Sequence, residues 1–178
     1  YPRKEVGPNG EYYFSNLLAS KARVYPAKTG FRTPRSELSG LLVLCRLITA
    51  TLDGAVDLPQ EIICMGDSEC TISSVECDEN VLKDSFANRV SEILDHFKGW
   101  KEKGVCVNAL HHWPGDRNIS DILTKGKAVA GDIGPGSDWQ CGPVELSMPR
   151  SEWLASRAFK RSLPDDEIIK VFVRYMPQ

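Results

Sequence analysis

Glu61-Ile62-Ile63-Cys64-Met65-Gly66-Asp67-Ser68 is the stretch on which the fold turns. Residues 61–65 form a short apolar run after Pro59, the pattern of a buried parallel strand. Gly66 closes the run, and a helix is predicted to begin near Ser68 and to end before Asp78. The strand therefore delivers an acidic residue, Asp67, directly to a helix start.

On the N-terminal side, Thr33-Pro34 opens a helix that runs to about Leu52. Threonine suits a cap, and proline suits the first helical position. Glu37, Leu41, Leu44 and Ile48 share one face by their spacing. This places Glu37 in the first turn, above an apolar stripe. Farther upstream, Gly7-Pro8-Asn9-Gly10 is a turn signal, and 11–25 reads as one long strand or two joined by an irregularity. A turn before a strand implies a partner strand, of which Tyr1 is expected to be the tail.

On the C-terminal side, Phe86, Val90, Ile93, Leu94 and Phe97 give residues 82–98 a helical stripe. Residues 105–113 read as a further strand, stopped by Pro114-Gly115. A short helix near Asn118 carries Asp121, with Gly126 as its stop. From residue 127 glycine and proline break the chain, while Trp139 and Trp153 call for a packing surface. This segment reads as an irregular arm that includes a late strand-like run at 168–173. The expected division is a domain over 1–126 and a connector over 127–178.

The 178 residues are 42% hydrophobic and 26% charged, with formal net charge −2. The balance is that of a globular protein and excludes a strongly basic, phosphate-blanketing nucleic-acid binder. No apolar run is long enough to cross a bilayer, so no membrane partner is expected. Six cysteines include no C-x-x-C pair and no zinc spacing. Cys45, Cys64 and Cys106 lie in apolar runs and read as small buried hydrophobes.

Three acids hold special positions: Glu37 on a core-facing helix, Asp67 after one strand, and Asp121 on the helix after a second. Parallel-strand ends and adjacent helix starts can converge at one edge of a sheet. Carboxylates gathered there repel unless cations join them, and oxygen ligands suit Mg²⁺ or Mn²⁺. Two such ions about 4 Å apart support phosphodiester cleavage. The plainer reading is that Glu37 answers the helix dipole while Asp67 and Asp121 are helix caps.

Several segments, in order, resemble the ribonuclease H region of BEL/Pao-type retrotransposon polyproteins. Residues 21–26 are similar to the strand before the family's first helix. Thr33-Pro34-Arg35-Ser36-Glu37-Leu38 resembles its I-P-R-x-E-L helix start, and Met65-Gly66-Asp67-Ser68 its W-x-D-S strand end. Phe86-Ala87-Asn88-Arg89-Val90 is similar to F-V-x-N-R-V, and the segment from Asn118 through Asp121 to Gly126 to N-P-A-D-x-x-[ST]-R-G. Trp139-Gln140-Cys141-Gly142-Pro143 and Trp153 resemble its connector towards integrase.

The resemblance implies a ribonuclease H-like α/β fold, a mixed sheet with flanking helices. It also implies a hydrolase, an endonuclease that cuts the RNA strand of RNA–DNA hybrids during reverse transcription. Glu37, Asp67 and Asp121 would be three of four carboxylates holding two Mg²⁺ or Mn²⁺ ions. Reverse transcriptase and integrase segments of the polyprotein would be partners, within cytoplasmic virus-like particles. The family's first aspartate has no counterpart here, and the family's tryptophan in the Asp-Ser helix is replaced by the Ser73-Ser74-Val75 stretch. The first strands are therefore expected to be missing, which would cut the 11–25 strand off from those at 61–65 and 105–112 and leave the fragment inactive by itself.

Around that site, Arg35, Ser68, Asn118 and His112 are candidate nucleic-acid contacts. His112 could instead be a half-buried strand-end residue, and Arg35, Asn88 and Arg89 plain helix-surface groups. Trp113 reads as a core or rim aromatic or as a stacking platform. Two other functions compete. A non-catalytic connector between reverse transcriptase and integrase would need none of the acids as ligands. An aspartic peptidase needs an Asp-Thr/Ser-Gly loop, which Glu69 breaks after Asp67-Ser68 and which Asp53-Gly54 lacks.

Overall fold

The computed structural model describes residues 3–6, 12–22, 33–77, 82, 84–107, 110–123 and 128–148. The 7–10 turn, residues 23–25 of the first predicted strand, Gly126, Trp153 and the 168–173 run lie outside the described residues. The chain is mixed α/β and mainly helical, and it divides into two compact units. Among the described residues, 33–112 form one unit, and 3–22 with 113–148 form the other. The division expected at 126/127 falls inside the latter. Among the described residues, no helix is long and apolar enough to cross a membrane.

The 33–112 unit is built on two long helices, α1 (Thr33–Asp53) and α3 (Asp84–Glu102). Arg46 forks onto Glu92 at 2.7 and 2.9 Å, the Thr49 hydroxyl lies 2.8 Å from His96 Nδ1, and Asp53 meets Lys103. The pairs advance together along both helices, so α1 and α3 run parallel. Between them Leu38, Leu42, Cys45 and Leu52 share a core with Val90, Ile93 and Trp100. Trp100 is 1% exposed, and its Nε1–H donates to Thr49 Oγ1 at 2.8 Å, so the indole buries without an orphaned donor.

The buried face of α1 is rotated one residue from the predicted stripe. Leu44 is 37% exposed, and Leu41 and Ile48 only flank the core. Both 37/41/44/48 and 38/42/45/52 satisfy helical spacing, and packing against α3 selects the second. Glu37 is also the fifth residue of α1, just past its first turn.

α3 outruns its predicted end at 98 and stops by a Schellman arrangement. Gly104 takes φ +83°, its N–H reaches the Lys101 carbonyl at 2.9 Å, and the Val105 N–H reaches that of Trp100 at 3.0 Å.

The strand expected at 61–65 is present as two pieces, β3 (Glu61–Ile62) and β4 (Met65–Gly66). They pair in parallel with β5 (Cys106–Val107) and β6 (His111–His112), which replace the single strand expected at 105–113. Registers are Glu61↔Cys106 and Ile62↔Val107, then Met65↔His111 and Gly66↔His112. Cys64 lies between the two pieces of the first strand. Cys64 is buried there, whereas Cys106 is exposed, contrary to its apolar neighbourhood. Helix α2 (Glu69–Glu76) follows β4 and contributes Ile72 to the core.

In the other unit, β1 (Arg3–Val6) and β2 (Tyr12–Ser15) form an antiparallel hairpin. The partner strand of the N-terminal turn is thus Arg3–Val6, and the strand expected over 11–25 ends at Ser15, with 16–22 irregular. Among the described residues this hairpin is a sheet separate from the parallel pairs.

A 3-10 turn, Val144–Ser147, packs on the hairpin, preceded by α4 (Ala130–Ile133) and α5 (Asp138–Cys141). Ser15 Oγ donates to the Cys141 carbonyl, and the Leu17 N–H donates to Gln140 O at 2.6 Å. Gly142, at φ +74°, lets the chain pass Ser15, where a Cβ would stand 2.7 Å from Oγ.

Candidate functional site

The parallel pair β4–β6 ends at Gly66, and the chain passes through Asp67 to Ser68. Asp67 is exposed and stands at the carboxyl end of a parallel strand, the edge at which α/β folds bind ligands. The cap of α2 is Ser68, with extended backbone at φ −101°, and its Oγ accepts the Thr71 N–H at 3.2 Å. Asp67 therefore precedes the cap, and capping does not account for it.

Ser68 Oγ also donates to Glu37 Oε2 at 2.6 Å. This bond ties the early part of α1 to the start of α2, whose helices pack on each other. Glu37 is half-buried, on the flank of α1 that the rotated stripe turns towards α2. Cys70, on the first turn of α2, lies in the same corner. Burial pushes its thiol pKa up, and the charges of Glu37 and Glu69 push it further in the same direction. Of the three predicted acids, Glu37 thus meets Ser68, the residue that follows Asp67 in the chain.

Asp121 belongs to the other unit, on a 3-10 turn over Ile119–Leu123. Its N–H donates to Asn118 O at 3.1 Å, and Asn118 Oδ1 accepts the Ser120 N–H at 3.2 Å. The cap-like group is therefore Asn118, and Asp121 is not the cap either. Nearby, Trp113 is buried, with Nε1 donating to Arg117 O at 3.0 Å, and Arg117 pairs with Glu145 at 2.8 Å.

His112 is half-buried on β6, beside Gly66 in register and so one residue from Asp67 along the neighbouring strand. Arg35 is half-buried on the first turn of α1, where its carbonyl accepts the Ser39 hydroxyl at 2.8 Å. Asp53 ends α1 in an ion pair with Lys103, away from any loop of the peptidase kind.

The side chains brought together here are the Glu37 carboxylate, the Ser68 hydroxyl and the Cys70 thiol, with Asp67 next to Ser68 in the chain. Mg²⁺ keeps several of its waters and is commonly held by one or two carboxylates plus substrate phosphates, and Glu37 and Asp67 are oxygen ligands of that type. Among the described residues, no group of three or more His, Cys, Asp and Glu side chains is arranged to hold a metal ion.

The sequence pattern missed Cys70 as a neighbour of Glu37. That proximity comes from the packing of α1 on α2, which no spacing in the chain encodes. No family model, no curated protein and no solved structure matches the chain.

Proposed function

We propose that the chain is a ribonuclease H-like domain of a BEL/Pao-type retrotransposon polyprotein, a metal-dependent endonuclease for the RNA strand of RNA–DNA hybrids. The observation that carries this reading is the Ser68–Glu37 bond, which joins two resemblance motifs thirty-one residues apart in one oxygen-rich corner. Glu37 and Asp67 would hold Mg²⁺ or Mn²⁺, and the resemblance assigns Asp121 to the same ligand set. Such ions would supply an activated water and a stabilised leaving oxygen. Arg35 and Asn118 contact phosphates, and His112 stands at the strand end beside the site. Hybrid selection comes from shape and 2′-hydroxyl contacts rather than base edges. Partners are the reverse transcriptase and integrase segments, in a cytoplasmic particle.

The competing reading is a non-catalytic connector, which needs none of the acids as ligands. A hybrid labelled separately on each strand, incubated with Mg²⁺, distinguishes them. The proteins are the 178-residue chain and a form extended upstream to include the family's first aspartate. The nuclease reading expects the extended form to cut the RNA strand alone and Asp67→Asn to abolish the cut. Two folded proteins that leave both strands intact would favour the connector.

A further inference from the structure

We infer that Thr49 is a polar clasp that fixes which face of α1 meets α3, a conformational lock set into an otherwise apolar helix seam. Leu38, Leu42, Cys45, Thr49 and Leu52 fall on one face by the alternating four- and three-residue spacing of a helix. Leu38, Leu42, Cys45 and Leu52 belong to the core, and Thr49 interrupts them with a hydroxyl. The rival face, Leu41, Leu44 and Ile48, lies one residue away. Apolar burial is non-directional, so Val90 and Ile93 separate two such faces only by fit. The hydroxyl adds direction. Its oxygen accepts the Trp100 Nε1–H at 2.8 Å and lies 2.8 Å from His96 Nδ1, so one atom of α1 engages two rings of α3. The other ring nitrogen of His96 stands 3.9 Å from Glu92, whose carboxylate takes the fork of Arg46. The polar contacts thus run from α1 to α3 and back again. Turning α1 by one residue, about 100°, carries Thr49 off the seam and puts Ile48 in its place. Isoleucine has no acceptor, so the buried indole N–H would lose its partner, and an unpaired buried donor is costly. A single polar residue sets the register of coiled-coil seams by the same logic.

Locking the face and merely filling the seam can be told apart. Thr49→Val keeps the branched shape and nearly the same helix propensity while removing the hydrogen-bonding group. Thr49→Ser keeps the hydroxyl. Two buried thiols of the same core report the outcome, Cys45 on α1 and Cys64 between β3 and β4. Turning α1 uncovers Cys45 and brings Leu44 into the seam over Cys64, whereas unfolding of the unit uncovers both thiols. The experiment alkylates the full 178-residue chain with iodoacetamide under native conditions and reads each cysteine by peptide mass spectrometry, with a circular dichroism melt of each protein alongside. Slow labelling of a buried thiol follows the population of the open form. Thr49→Val is expected to raise the Cys45 rate about tenfold relative to the Cys64 rate, the population shift that loss of a bond to a buried donor gives. Thr49→Ser is expected to keep the wild-type ratio of the two rates. Equal acceleration at Cys45 and Cys64 would make Thr49 an ordinary contributor to stability and overturn the inference. Unchanged rates at both thiols in Thr49→Val would overturn it as well. So would the same selective rise in Thr49→Ser, since the hydroxyl would not be the operative group.

Discussion

The α1–α3 pair and the hairpin unit solve the same problem by different physics. Between α1 and α3 the chain buries leucine, valine, isoleucine and a tryptophan whose one polar atom is satisfied by Thr49. In the hairpin unit the described core is thin. Trp113 and Cys141 are buried, while Phe14 is 62% and Leu18 83% exposed. Order there comes from backbone-directed bonds, those of Ser15 to Cys141, Leu17 to Gln140 and Trp113 to Arg117, and from a glycine that only one geometry admits. Non-directional burial tolerates a shifted face. A lattice of single bonds does not, so the two units should fail differently.

Trp100→Ala should show the largest effect. Loss of a buried aromatic typically costs about 3–5 kcal/mol, and here it also strips Thr49 of its donor. Chemical denaturation followed by α-helical circular dichroism is expected to show the whole helix pair weakened. A cost below 1 kcal/mol would mean that the pair is not held by its core.

Gly142→Ala comes next. The new Cβ would meet Ser15 Oγ at 2.7 Å and Leu146 Cδ1 at 3.0 Å at a residue with φ +74°. A strained position of this kind costs about 1–3 kcal/mol. Amide exchange is expected to accelerate at Leu17 and Cys141 and to stay unchanged at Val90 and Ile93. Equal acceleration in both places would erase the distinction between the units.

Gly104→Ala has open space around its Cβ but φ +83°, so only the backbone objects, at about 1 kcal/mol. Fraying confined to the end of α3 is expected in its amide-exchange profile.

Buried thiols sharpen the comparison through pH. Burial lifts Cys45 to about 12 and Cys64 to about 11, from 9.0. Both shifts are upward, so the thiols' contribution to stability is complete below pH 9 and declines as pH rises through 11 and 12. Alkaline unfolding curves should flatten in Cys64→Ala across that window, and both thiols should resist alkylation until the helix pair opens. The smallest effect is expected at the surface. Arg46→Ala removes a pair whose partners are 53% and 40% exposed, worth at most about 1 kcal/mol and less at high salt.

What could be read in the chain follows the same split. Long helices announce themselves, because apolar residues recur over five turns and a proline or glycine marks an end. The face of α1 was not legible, since Leu41 and Leu42 fit the period equally well until Val90 and Ile93 choose between them. Strand ends were less legible still. Residues 61–65 read as one run, but two short strands, Glu61–Ile62 and Met65–Gly66, stand there. In the hairpin unit, Arg3-Lys4-Glu5-Val6 carries too little apolar signal to be seen as a strand, and its pairing with Tyr12–Ser15 is a property of two segments. At the site, Asp67 and Ser68 were marked by their place after an apolar run. Their link to Glu37 crosses thirty-one residues of chain and exists only because α1 packs on α2.

The proposal that Glu37 and Asp67 serve one ion is tested most directly by a double-mutant cycle on Mn²⁺ affinity. Glu37→Gln, Asp67→Asn and the double variant are each titrated as the full chain. Ligands of a shared ion are coupled, so either single change is expected to remove most of the binding and the double variant to lose little more. Independent, additive losses, or single variants that bind as well as wild type, would contradict the account.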